Sequence, residues 1–142
     1  MRRLPLAVVA LLPLLAAAEP ANGDARGIQG TWLVVAVEKD GVKMEVPLEL
    51  HLKIRRDRLE GFGGADPQFK LGVDKGVATI DITPDKGPDR GKTGKGVYEL
   101  KDDALKICVP DDIAKERPKA FTSKGGYGIL YLRRDGGPRW WW

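Results

Sequence analysis

Glycine and proline set the strongest constraint on what this chain can become. The 18 glycines and 10 prolines are scattered along its 142 residues, so no long helical period survives. Between these turn formers recur short runs rich in Val, Ile, Leu, Thr and aromatics, the pattern of strands. Nine are expected, at residues 31–38, 48–55, 58–62, 68–71, 77–83, 96–100, 104–109, 120–123 and 128–134. Nine short strands at close spacing predict an all-β fold, a small antiparallel barrel or sandwich with at most one short helix.

The connections agree with antiparallel neighbours. Asp40-Gly41, the Arg-Arg-Asp-Arg of 55–58 and Asp102-Asp103 each separate two apolar runs, and aspartate tolerates the positive φ of a tight hairpin. One helical turn is expected at 111–116, with Asp111 and Asp112 capping it and Pro118 stopping it. Alternation then assigns faces. In LELHLKIR (48–55), Leu48, Leu50, Leu52 and Ile54 share one side, and Glu49, His51, Lys53 and Arg55 share the other. TWLVVAV and GILYL are apolar on both phases, which predicts strands covered on both faces and first and last strands that close a barrel.

Arg2 and Arg3 precede a charge-free run from Leu4 to Ala18 that ends in three alanines. This is the arrangement of a secretory signal peptide cleaved after Ala18, and it implies export to the periplasm, envelope or exterior with no transmembrane segment after cleavage. The expected organisation is a signal peptide at 1–18, a flexible leader at 19–27, one barrel domain at 28–134 and a Gly-Pro/Trp tail at 135–142. Without Arg2 and Arg3, 22 basic and 20 acidic residues remain. Both signs are mixed in most strands, so the charge carries no signature of nucleic-acid binding.

Residues that carry chemistry are sparse. Gly91-Lys92-Thr93 resembles the end of a phosphate-binding loop, but the slot for the first glycine of that motif holds Lys86, and glycines leading into a strand follow instead of a helix. The reading is a solvated hairpin loop. Asp102/Asp103 and Asp111/Asp112 are turn formers, because neighbours on an extended chain point apart. The one histidine, His51, and the one serine, Ser123, make a catalytic triad remote. One Cys and one His do not suit zinc, and 85–92 lacks the ligand spacing of a calcium loop. Cys108 is expected to be an inert strand residue, since nothing in its neighbourhood would lower its pKa. The sequence therefore points to no enzyme, no metal and no cofactor. The closing Trp140-Trp141-Trp142 reads as an exposed extension.

Three stretches, IQGTWLVVAVEKDG (28–41), GKGVYELKDDALKICV (95–109) and ERPKAFTSK (116–124), together resemble the small secreted lipocalin-like domains of unknown function found in planctomycete bacteria. That resemblance spans residues 27–134 and implies a calycin-type β-barrel of about eight to nine strands. Gly30-Thr31-Trp32 is also similar to the Gly-x-Trp signature of lipocalins, which implies a tryptophan plugging one end of the barrel with an arginine, Arg133 or Arg134, over its indole. The second lipocalin signature, a Thr-Asp-Tyr-like turn, is absent. A barrel of this size can hold one small ligand. The expected lining is Trp32, Leu52, Ile54, Phe69, Ile80, Tyr98, Ile107, Phe121 and Tyr131, with Gly30, Trp32, Arg133 and Arg134 as structural residues. The competing expectation is a cell-envelope structural or protein-interaction module that uses strand edges or the tryptophan tail.

Overall fold

In the computed structural model, residues 22–61 and 66–136 are described. The segment expected to be a signal peptide, Phe62 and the three terminal tryptophans lie outside these residues. Eight strands run in the order β1 (Gly30–Lys39), β2 (Val42–Arg55), β3 (Arg58–Glu60), β4 (Gln68–Asp74), β5 (Val77–Thr83), β6 (Gly94–Lys101), β7 (Ala104–Pro110) and β8 (Tyr127–Arg134). Each pairs antiparallel with the next, and β8 returns to β1 to close the barrel. The chain therefore forms an all-β, closed, eight-stranded antiparallel barrel, consistent with a calycin-like fold.

Hairpin chemistry fixes this order. Asp40 and Gly41 take φ of 53° and 80°, and Lys75 and Gly76 take 49° and 79°, the double positive φ of two-residue turns whose twist suits the flanking strands. Asp102 has φ 52°, as its place in a tight hairpin requires. The loop from Pro84 to Thr93 is held by turn bonds, among them Gly91 N–H to the Pro84 carbonyl at 3.0 Å, and it leads directly into β6 rather than into a helix.

Three expectations need correction. Residues 120–123 form no strand, and 111–116 form turns rather than a helix. Together they belong to an irregular connection, 111–126, laid against the outside of the barrel. Residues 22–27, expected as flexible leader, form a short helix, α1 (Asn22–Gly27). Six residues are too few to be helical alone. The turn persists because it docks: Tyr98 donates to Asp24 at 2.7 Å, and Ile28, just beyond it, is fully buried.

The core divides into two layers by strand parity. Trp32, Leu52, Ile54, Leu59, Phe69, Ile80, Tyr98, Leu105, Ile107 and Leu132 fill the barrel together with Ile28, each at the inward phase of its strand. On the outer face, Ala36, Val97, Cys108, Ile129 and Tyr131 form a second cluster with Phe121 and Tyr127 packed against it. The 111–126 connection thus covers β1, β6, β7 and β8 from outside, which is why TWLVVAV and GILYL are apolar on both phases.

Candidate functional site

One end of the barrel is sealed, and the seal is built around Trp32. Its indole N–H donates to the Ile28 carbonyl at 2.8 Å. Trp32 lies directly opposite Arg134 in the β1–β8 register, and opposite residues share a face, so the Arg134 guanidinium stacks 4.3 Å from the indole centroid. Arg133, opposite Leu33, faces outward. Arg134 also donates to the carbonyls of Gly27 at 2.6 Å and Gln29 at 2.9 Å and to the Asp103 carboxylate at 3.0 Å. One side chain thereby joins α1, β1, β8 and the β6–β7 turn. Gly30 makes room for it: a Cβ there would lie 3.1 Å from Arg134 Nη1, on a backbone with φ +119°. Gln29 clamps the β2–β3 turn by accepting from Arg56 N–H at 2.7 Å and donating to the Arg56 carbonyl at 2.8 Å.

The opposite end is open. The inward phase of β2 continues past Leu52 to Leu50, Met44 and Val42, which the register places opposite Val34, Val37 and Lys39. These apolar side chains are 49%, 58% and 59% exposed, so the wall of the core runs on, uncovered, as a lip. Across the mouth, Ile82 and Val109 pack on the interior cluster and, with Pro84, Pro110 and Ile113, floor a cleft of about 270 Å³. Asp89 and Asp111 edge this cleft. Asp89 lies 3.6 Å from Lys92, and Asp111 meets Lys39 at 3.0 Å. The hydrogen bond from Lys39 lowers the pKa of Asp111, so both carboxylates carry their own counter-ions.

Of the nine expected lining residues, Trp32, Leu52, Ile54, Phe69, Ile80, Tyr98 and Ile107 share the interior cluster. Phe121 and Tyr131 do not. They pack in the outer cluster, Phe121 because its segment is no strand and Tyr131 because it takes the outward phase of β8. The lip residues Val42 and Met44 were missed by the sequence reading, since Pro47 ends the recognisable strand pattern. The structure carries β2 past that proline with a large bulge: the four residues 46–49 stand opposite Val35 alone. Leu48, expected to share the core face, lies inside this irregularity and is 71% exposed.

Polar groups elsewhere are tied into the scaffold. Ser123 donates to Glu38 at 2.6 Å and accepts from Gly41 N–H at 2.9 Å, while Tyr131 donates to the other Glu38 oxygen at 2.9 Å. The Ser123 hydrogen bond, then that of Tyr131, lowers the Glu38 pKa. Burial, then the Glu38 hydrogen bond, raises Tyr131 to about 12. Lys43 lies 4.0 Å from the centre of the Tyr131 ring. His51 is 3.6 Å from Asp135 and belongs to neither group. Cys108 donates to the Thr122 carbonyl at 3.3 Å, and burial raises its pKa. Arg117 Nη1 sits 2.7 Å from Asp81 Oδ1 but hydrogen-bonds the Gly96 carbonyl at 2.8 Å, so its contact with Asp81 is an ion contact without an aligned hydrogen bond. Among the described residues no three His, Cys, Asp or Glu side chains stand together as metal ligands.

The fold and its sealed end define a small closed antiparallel barrel, one end plugged by tryptophan and arginine and the other open. No known family, curated protein or solved structure matches the chain.

Proposed function

We propose that this is an exported, non-enzymatic, lipocalin-like protein that binds a small, partly apolar ligand at its open mouth rather than in the middle of its barrel. The observation that carries the reading is the lip. Val42, Met44 and Leu50 continue the inward face of the core yet remain about half or more exposed, and such apolar surface at one end of a barrel is where a ligand gains most from leaving water. The centre of the barrel is already occupied by Trp32, Tyr98 and their neighbours. Ligand contact therefore shifts from the residues expected by sequence toward Val42, Met44, Leu50, Ile82, Val109 and Ile113. The cleft of about 270 Å³ lies just under the range of roughly 300–1,000 Å³ usual for small-molecule sites, which favours a compact ligand or one shared between cleft and lip.

Native mass spectrometry of the protein from its own cell envelope tests this. A co-purifying small molecule is expected, and a double substitution at the mouth, Met44→Glu with Ile113→Glu, is expected to release it while leaving the far-ultraviolet spectrum unchanged. Recovery of the bare chain, or a bound molecule indifferent to both substitutions, sinks the reading. The alternative of an envelope interaction module draws on the exposed edge of β2.

A further inference from the structure

The β2 bulge leaves a groove on the outer face of the barrel. Leu33, Val35 and Ala36 of β1 form one wall and Val46, Pro47 and Leu48 of the bulge form the other, around a volume of about 420 Å³. Leu33 lies opposite the outward-facing Arg133, and Val35 and Ala36 belong to the outer cluster, so the groove opens away from the barrel interior. Leu48 is 71% exposed, the highest value for a large apolar side chain among the described residues. Glu45, Glu49, Lys43 and Arg133 edge the groove, and neither carboxylate has a partner among the described residues. Apolar walls rimmed by carboxylates and cations suit large aromatic side chains that arrive with a cation of their own.

Such a segment follows β8 directly. Residues 137–142 read Gly-Pro-Arg-Trp-Trp-Trp and lie outside the described residues. The described chain leads toward the groove: Asp135 N–H donates to the Thr31 carbonyl at 2.9 Å, and the Asp135 carboxylate stands 3.6 Å from His51, which β2 places opposite Leu33. Gly136, with φ of 85°, then permits a sharp turn. The six residues beyond it span up to about 20 Å when extended, whereas Leu33 to Ala36 occupies only about 10 Å of strand. We propose that residues 137–142 fold back across β1 and occupy this groove, with Trp140 and Trp142 between Leu33, Val35 and Leu48 and with Arg139 at the rim facing Glu45 and Glu49.

Two features argue for this segment rather than a second copy or another protein. The tether holds it at a high effective concentration beside the groove. Its composition also matches the lining term by term. An extended segment turns Trp140 and Trp142 to one side and Arg139 to the other, so two indoles meet the apolar walls while the guanidinium reaches the carboxylates on the rim. Lys43 and Arg133 then stand beside the indoles, whose negative faces attract a cation. Nothing in this proposal depends on a ligand at the mouth.

Tryptophan fluorescence of the chain purified from an exporting host provides the test, with circular dichroism reporting the fold of every variant. A chain ending at Gly136 retains Trp32 alone, so the difference between the two emissions belongs to Trp140, Trp141 and Trp142. That difference is expected to be blue-shifted and protected from acrylamide, and to stay so on dilution. Leu48→Glu places a charge in the groove wall at a side chain the core does not use, and it is expected to abolish the protection. Glu45→Lys/Glu49→Lys opposes Arg139 with like charge and is expected to reduce the protection, and adding Arg139→Glu is expected to restore it. Quenching as free as that of a peptide of sequence 137–142 would overturn the proposal. So would protection lost on dilution, which would assign the groove to a second copy, protection indifferent to Leu48→Glu, or a charge reversal that Arg139→Glu does not rescue.

Discussion

The guanidinium of Arg134 meets one indole face, two backbone carbonyls and one carboxylate, and no other side chain has that fork geometry. Arg134→Lys keeps the charge but cannot serve Gly27, Gln29 and Asp103 together. We expect it to lower stability in denaturant by about 1–2 kcal/mol, and Arg134→Met by about 2–4 kcal/mol, because charge-assisted hydrogen bonds and the contact with Trp32 are lost. A midpoint unchanged by both substitutions would show that the seal contributes nothing. The resemblance to the Gly-x-Trp signature implied an arginine over Trp32, but it left Arg133 and Arg134 equivalent. Only strand register separates them, and register is a long-range property. The same limit misplaced Tyr131: β8 is apolar on both phases, so its inward phase could not be told from composition. Phe121 erred for another reason, since its segment has strand-like residues and no ladder.

α1 and the 111–126 connection are the two elements that local sequence described least well, and both are held by polar contacts across the fold. Tyr98→Phe removes the partner of Asp24 and is expected to loosen α1 at a cost of about 1 kcal/mol, visible as faster amide exchange at residues 24–29. Ser123 pins the connection to the β1–β2 turn through Glu38 and Gly41. Ser123→Ala leaves both without that partner and is expected to destabilise by about 1–3 kcal/mol. The Glu38 contact also gives a pH signature. Its pKa is lowered from 4.5 in the folded chain, so the unfolded chain takes up a proton first as pH falls. Its stabilisation is full above about pH 4.5 and disappears as the pH drops through the lowered value. Tyr131, raised to about 12, acts at the other extreme: its contribution is intact below pH 10 and declines between pH 10 and 12. Thermal unfolding of wild type and Glu38→Gln should therefore differ most near neutrality and converge in acid. A gap that widens on acidification would contradict the assignment. Neither contact was legible in sequence, because Ser123 and Glu38 are 85 residues apart and carry no periodic pattern.

Closure of the barrel sets its weakest line. Strand existence followed from local patterning almost everywhere, and the first-to-last pairing was foreshadowed by β1 and β8 being apolar on both faces. The quality of each seam was not, since it depends on how many residues two strands share. β7 and β8 are in register from Ala104 to Pro110, and β1 and β8 from Trp32 to Lys39 with one bulge. β3, by contrast, is three residues long and meets β4 at the single register pair Arg58 and Gln68, supported by Leu59 N–H to the Pro67 carbonyl at 3.0 Å and Phe69 N–H to the Asp57 carbonyl at 2.8 Å. Sub-global opening begins where few backbone bonds and few buried contacts must break. The barrel should therefore open between β3 and β4 while the β6–β7–β8 wall, backed on its outer face by the 111–126 connection, stays shut. Hydrogen exchange read by mass spectrometry gives the order: peptides spanning 56–61 and 66–70 are expected to exchange well before those spanning 96–109 and 128–134. Earlier exchange along β8 than along β3 would place the weak seam at the join of first and last strands, and the barrel would then be held shut chiefly by the Arg134 seal rather than by its ladders.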